Sequence, residues 1–223
     1  MSRQSGFGLL EVMLALSLGL VLLAGSGHLF LAASQSWLAQ GVAVQLQEDA
    51  RQALQRLAQD IRMTGMFGCL DPGAIDFVDP TAADAFAHPL ELVRAADGRL
   101  QRLSLVSAEV TQASGRPNWT LVTDCRSTAS VHAGGVAPGA GQFAIPIRRQ
   151  DYRLVGEQLF LSSGASNAVL VEGVTDLRVD RVRNRSLAVS GLRLSLTMGD
   201  PQGRVRPQTY RMSVALGNPV SGA

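Results

Sequence analysis

The sequence predicts an α+β chain, with one very long N-terminal helix followed by a domain dominated by antiparallel β-sheet. Three observations predict it. Residues Val12 to Gln47 carry no formal charge, the residues after them turn amphipathic at helical spacing, and from Leu103 onward short alternating runs recur between turn signals. With 223 residues and 46% hydrophobic content, the chain holds one sizeable core beside such a segment and hardly two.

The helix comes first. Val12 to Ala33 is almost wholly apolar and long enough to cross a hydrocarbon layer of about 30 Å. Ahead of it stand only Arg3, the terminal amine and Glu11, so the positive-inside rule keeps the short N-terminus cytoplasmic and sends the rest outward. A cleaved secretory signal fits less well: the apolar run is too long, and it continues past Ala33 into a helical pattern without a helix-breaking stop. Beyond the span, Leu46, Ala50, Leu54, Leu57 and Ile61 recur every three or four residues, while Glu48, Asp49, Arg51, Arg56, Asp60 and Arg62 take other faces. One helix therefore has two surroundings. It should end between Gly65 and Gly68, about 90 Å from Phe7 at 1.5 Å per residue.

Asp71 to Pro89, rich in Asp, Pro, Ala and Gly, reads as a long loop. Its Asp71, Asp76, Asp79 and Asp84 match no EF-hand spacing and are expected to be solvated. Strands are expected at 103–110, 119–123, 143–147, 152–155, 158–161, 168–171, 177–182, 192–197 and 209–216, with a hairpin turn at Gly156-Glu157. The glycine-rich stretch 133–141 reads as loop and matches no phosphate-binding pattern. An antiparallel sheet laid on the helix stripe is the simplest architecture.

Charge and motif content narrow the function. The net charge is +2, and with no lysine every basic side chain is arginine, which creates no strong field for nucleic acid. Arg178, Arg181, Arg183 and Arg185, with Arg204 and Arg206, form the one basic concentration, but Asp176 and Asp180 interrupt it. A solvated face or subunit contact is the expectation, and nucleic acid is not an expected partner. Asn118-Trp119-Thr120 and Asn184-Arg185-Ser186 match the glycosylation sequon without further support. No cofactor and no metal site are expected, because His28, His88 and His132 show no ligand spacing and two cysteines cannot make a tetrahedral site. A membrane-anchored periplasmic enzyme is the competing class, but no Gly-x-Ser-x-Gly, His-Glu-x-x-His or Ser-x-x-Lys motif is present, and His88 and His132 have no nucleophile motif nearby. Cys69 and Cys125 share one compartment and, in an oxidising periplasm, can pair instead of remaining buried thiols. The bridge would close about 57 residues, a contribution of roughly 4 kcal/mol.

Glu11 is the informative residue, since an ionisable group at the edge of an apolar span costs a few kcal/mol unless it is paired. Gly6-Phe7-Gly8-Leu9-Leu10-Glu11 followed by an apolar helix resembles the class III signal of type IV prepilins and type II secretion pseudopilins. Gly8 departs from the Thr or Ser common there. The resemblance implies the type IV pilin fold, cleavage by prepilin peptidase between Gly6 and Phe7, and N-methylation of Phe7. It further implies that Glu11 neutralises the freed amine of a neighbouring subunit, and that helix is lost near Gly25–Gly27 in the filament. On this reading residues 1–6 are the leader, 7–66 the helix and 67–223 a periplasmic head. The head starts out tethered to the inner membrane by a single pass and later becomes part of a pilus at the cell surface.

Asp60 to Cys69, with its Gly65-Met66-Phe67-Gly68-Cys69 exit, is similar to PilW-type minor pilins. That implies a subunit that helps initiate pilus assembly at or near the tip. Its partners would be other minor pilins, the major pilin, prepilin peptidase and the inner-membrane assembly machinery, with a tip adhesin as a further candidate. A J-type minor pseudopilin of a type II secretion system is the alternative.

Overall fold

The computed structural model describes residues 8–109, 115–183 and 189–220. Helix α1 runs Leu9–Met63. After a 3₁₀ turn at Pro72–Ala74 come β1 (Asp76–Phe77), α2 (Pro80–Ala87), β2 (Leu90–Arg94), β3 (Leu100–Ala108), β4 (Trp119–Thr123) and β5 (Ala129–Ala133). The chain continues through β6 (Phe143–Val155), β7 (Gln158–Ser163), β8 (Ser166–Glu172), β9 (Val174–Arg183), β10 (Val189–Met198) and β11 (Gln208–Val220). The chain divides into two compact units, Met1–Gln45 and Leu46–Ala223, so the boundary falls inside α1.

In the second unit the larger sheet has the order β1-β5-β4-β6-β3-β2, with β7 and β8 branching from β6, and the smaller sheet is β11-β10-β9. All described pairings are antiparallel except the two-residue β1/β5 contact. The architecture is α+β, as the periodicities predict. Gly156, with φ 60°, turns β6 into β7 across Val155↔Gln158, because positive φ at the first central position suits a two-residue hairpin.

The helical stripe is buried in this unit: Leu46, Ala50, Ala53, Leu54, Leu57, Ala58 and Ile61 are all inside. So are Leu103, Leu105, Tyr152 and Leu159 of the larger sheet and Leu177, Leu192, Leu194, Leu196 and Met198 of the smaller one. Two polar contacts tie this helix segment down. The Tyr152 hydroxyl donates to the buried Asp60 carboxylate, which also receives Arg56 Nε at 3.1 Å. Asn218 Nδ2 of β11 donates to Thr64 O at 3.2 Å. Burial, with the neighbouring Asp60 carboxylate second, pushes the Tyr152 phenol well above its ordinary range, so it stays a proton donor.

Two expectations need correction. The segment expected as a loop at 71–89 contains α2, because Asp79 caps it, accepting from Thr81 N at 3.0 Å, and Pro80 opens it. The runs expected as separate strands at 143–147 and 152–155 are one strand, β6, whose polar middle is Arg148-Arg149-Gln150-Asp151. Arg148 is buried there, its Nε 2.6 Å from Glu109 Oε2 and its Nη2 2.7 Å from Gly115 O. One edge of β6 pairs with β3, and the other pairs first with β4 and then with β7. A pairing scheme of that kind has no signature in local alternation.

The two sheets meet along an arginine seam. Arg94 donates to Val179 O and Arg99 Nη2 donates to Thr175 O at 3.1 Å, while Asp180 and Asp176 pair with the same guanidiniums. The edge of β9 is thus covered by side-chain donors and not by another strand.

Tyr152→Phe is expected to lower the unfolding free energy of this domain by about 1–3 kcal/mol, because it strips a donor from a buried carboxylate. Chemical denaturation would check this, with Tyr210→Phe, which removes only an exposed hydrogen bond to Gln208, changing stability by less than about 0.5 kcal/mol.

Candidate functional site

Gly8 O accepts from Glu11 N at 3.0 Å and from Val12 N at 3.3 Å, which starts α1 and sets Glu11 in its first turn. The unpaired amide groups of a helix start favour a carboxylate there. Glu11 is exposed and has no ion-pair partner among the described residues; Gly6 and Phe7 lie outside them.

From Leu9 to Leu38 the large apolar side chains are 48–83% exposed. The apolar window of this helix is long enough to cross a membrane, and none of it is buried. A bare surface of this extent needs lipid or other chains to cover it. Ser17 and Ser26 within it have internal partners: Ser17 Oγ donates to Leu14 O at 2.9 Å and Ser26 Oγ to Leu23 O at 3.0 Å, so neither hydroxyl depends on water. The helix is unbroken through Gly25–Gly27, and a Cβ at either glycine would meet nothing within 4 Å.

The helix exit, in the second unit, gives each residue of its motif a task. Gly65 takes φ 78°, the left-handed conformation that ends a helix, and its N–H donates to Val106 O at 2.9 Å. Met66 O accepts from Ala108 N at 2.7 Å, so the chain leaving α1 joins the end of β3. Phe67 stacks on Phe86 of α2 with centroids 4.0 Å apart, in a core shared with Trp119, Leu121, Val131 and Ile147. Gly68 has φ 140°, and a Cβ there would lie 3.0 Å from both Ile145 Cδ1 and Leu121 Cδ2.

Cys69 is bonded to Cys125, their Cα atoms 5.4 Å apart. Cys125 is left-handed at φ 56°, in a loop that Asp124 organises by accepting from the N–H groups of Arg126, Ser127 and Thr128, each at 2.9 Å. Those donors, Thr128 first, hold the Asp124 carboxyl far below its ordinary range. The bridge therefore links the helix exit to the β4–β5 loop.

The four aspartates considered for calcium have other roles or stand apart. Asp71 Oδ1 accepts from Gly73 N at 2.8 Å, Asp79 caps α2, Asp84 lies 3.9 Å from His88 Nε2, and Asp76 is in β1. No metal-holding cluster is present among the described residues. One contact escaped the sequence: Ser130 Oγ lies 3.0 Å from His132 Nε2, because residues two apart on β5 share a face. His132 has no further hydrogen bond among the described residues, so no third group orients it as a base would require.

Residues 1–27 match a protein family described as the prokaryotic N-terminal methylation motif. No curated protein and no solved structure matches the chain. The motif and the apolar helix behind it support a type IV pilin-like prepilin, a structural subunit in preference to an enzyme. They fit anchoring in the inner membrane, processing by prepilin peptidase and later assembly with other pilins.

Two outcomes are expected here. Reducing the disulfide, or replacing Cys69 and Cys125 by Ser, should destabilise the domain by about 2–5 kcal/mol in denaturant titrations run with and without reductant. The Asp79 carboxyl is held below its ordinary range by Thr81 N, then by the Thr81 hydroxyl and by Trp119 Nε1, which donates at 3.1 Å. A depressed folded pKa means the stabilisation is present above the ordinary carboxylate range and is lost as pH falls through the folded value. Trp119 emission should therefore shift on acidification in the parent, and Asp79→Asn should remove that part of the pH response.

Proposed function

We propose that this chain is a minor pilin that helps initiate a type IV pilus and is incorporated at or near its tip. On this reading prepilin peptidase removes residues 1–6 by cutting between Gly6 and Phe7, and Phe7 is N-methylated. Residues 7–66 then form the filament-core helix and 67–223 the head.

The observation that carries the proposal is Glu11, a carboxylate without a partner among the described residues at the start of a bare apolar helix, within the methylation motif. A buried carboxylate is tolerable only beside an opposite charge, and the freed α-amine of a neighbouring Phe7 is one. The apolar span supplies packing against other subunits, and the head selects neighbours among the minor pilins and major pilin. The glycine-rich helix exit and its bridge to Cys125 support the pilus reading over the secretion pseudopilin.

Gly6→Val is expected to leave the chain uncut, so that mass spectrometry finds the N-terminus at Met1, whereas the parent begins at methylated Phe7. Glu11→Ala is expected to be processed normally yet to enter filaments on the order of a hundredfold less, since removing one member of a buried pair costs about 3–5 kcal/mol. Counting pili and the subunit in sheared fractions checks both; a parent that still begins at Met1, or wild-type assembly by Glu11→Ala, sinks the reading.

A further inference from the structure

The bare surface of α1 changes character around Trp37. Val12 to Ala33 is almost wholly apolar and rises about 32 Å at 1.5 Å per residue, the thickness of a hydrocarbon layer. Ser34, Gln35, Ser36 and Gln40 then surround Trp37 in the sequence, and the first formal charge after Glu11 is Glu48. Gln40 Nε2 donates to Ser36 Oγ at 3.4 Å, so these turns carry hydrogen-bonding groups without charge. The Trp37 side chain is bare, with 74% of the residue exposed, whereas Trp119 is 7% exposed. Its indole N–H has no hydrogen-bond partner among the described residues, while that of Trp119 donates to Asp79.

An indole joins a large apolar body to one donor, so neither water nor hydrocarbon suits it alone. The layer between them supplies apolar contact and ester or phosphate acceptors together. Distance agrees with that chemistry. From Glu11 to Trp37 the unbroken helix rises about 39 Å at 1.5 Å per residue, against about 40–45 Å across a bilayer with its headgroups. Moving the helix one turn toward the cytoplasm would draw Ser34, Gln35 and Ser36 into hydrocarbon, and moving it one turn outward would draw in Glu11. Polar groups at both ends therefore fix the register. His28 lies inside the apolar run in all these placements and does not discriminate among them.

We propose that Trp37 seats in the periplasmic headgroup layer of the inner membrane and fixes how deeply α1 is inserted before the subunit joins other chains. The inference rests on the reading of this chain as a membrane-anchored prepilin. The full chain would be reconstituted in phosphatidylcholine vesicles whose acyl chains carry bromine, a tryptophan quencher, either near the headgroup or near the chain ends. Trp119 supplies a background signal, which Trp37→Phe measures. Trp37 emission should fall about twofold more with bromine near the headgroup than with bromine near the chain ends. Leu23→Trp, close to mid-span, should show the reverse order when combined with Trp37→Tyr, which keeps an amphipathic ring. Combined with Trp37→Ala, it should lose most of that difference, because the helix is no longer held at one depth. Stronger quenching of Trp37 from the chain ends, or none from either lipid while Leu23→Trp is quenched, would overturn the inference and leave the anchored prepilin standing. So would an undiminished Leu23→Trp difference in the Trp37→Ala background. No quenching of Leu23→Trp by either lipid would place the span outside the bilayer and remove the anchored reading together with the inference.

Discussion

A single helix has to satisfy two different surroundings, and the rest of the structure is arranged around that constraint. Over its first part every face is apolar, so no orientation against one small domain could cover it. From Leu46 onward the apolar positions narrow to a stripe, and that stripe is buried against the chain's own domain. Asp60 sits within the stripe, where a carboxylate would be intolerable without Tyr152 and Arg56. This buried polar contact gives the packing a register that aliphatic contacts alone would leave loose, since it is satisfied in only one placement of helix on sheet.

The second core starts where the helix stops. Two glycines with positive φ let the backbone turn sharply and approach closely, Phe67 fills the space under α2, and the disulfide closes the end. Short elements such as β1 and α2 have little stability of their own. They persist because Phe77 and Phe86 contribute to the aromatic cluster and because Asp79 both caps α2 and receives Trp119. Helix exit, small helix and β4–β5 loop are therefore one mechanical piece.

The absence of lysine shapes the polar interior. Arginine presents a rigid fork of donors, so it can satisfy backbone carbonyls and a carboxylate at once. Arg148 does this at the centre of β6, and Arg94 and Arg99 do it along β9. Of the basic concentration visible in the sequence, Arg178 pairs with Asp176 and Arg204 with Asp200.

Periodicity and composition determined much of this protein. The all-round apolar run, the stripe from Leu46 to Ile61, the alternation of Leu192, Leu194 and Leu196, the turn at Gly156 and the leader pattern around Glu11 are local features, because each records what one segment meets on its faces. Asp79-Pro80 was also legible as a helix start, but the surrounding small residues hid it. Tertiary structure alone decided that Arg148 lies inside a continuous strand, that Tyr152 meets Asp60 and that Ser130 meets His132. It also decided that Arg94 reaches β9. These contacts join residues on different elements or depend on strand pairing, and a buried charge carries no local mark of the partner that makes its burial possible.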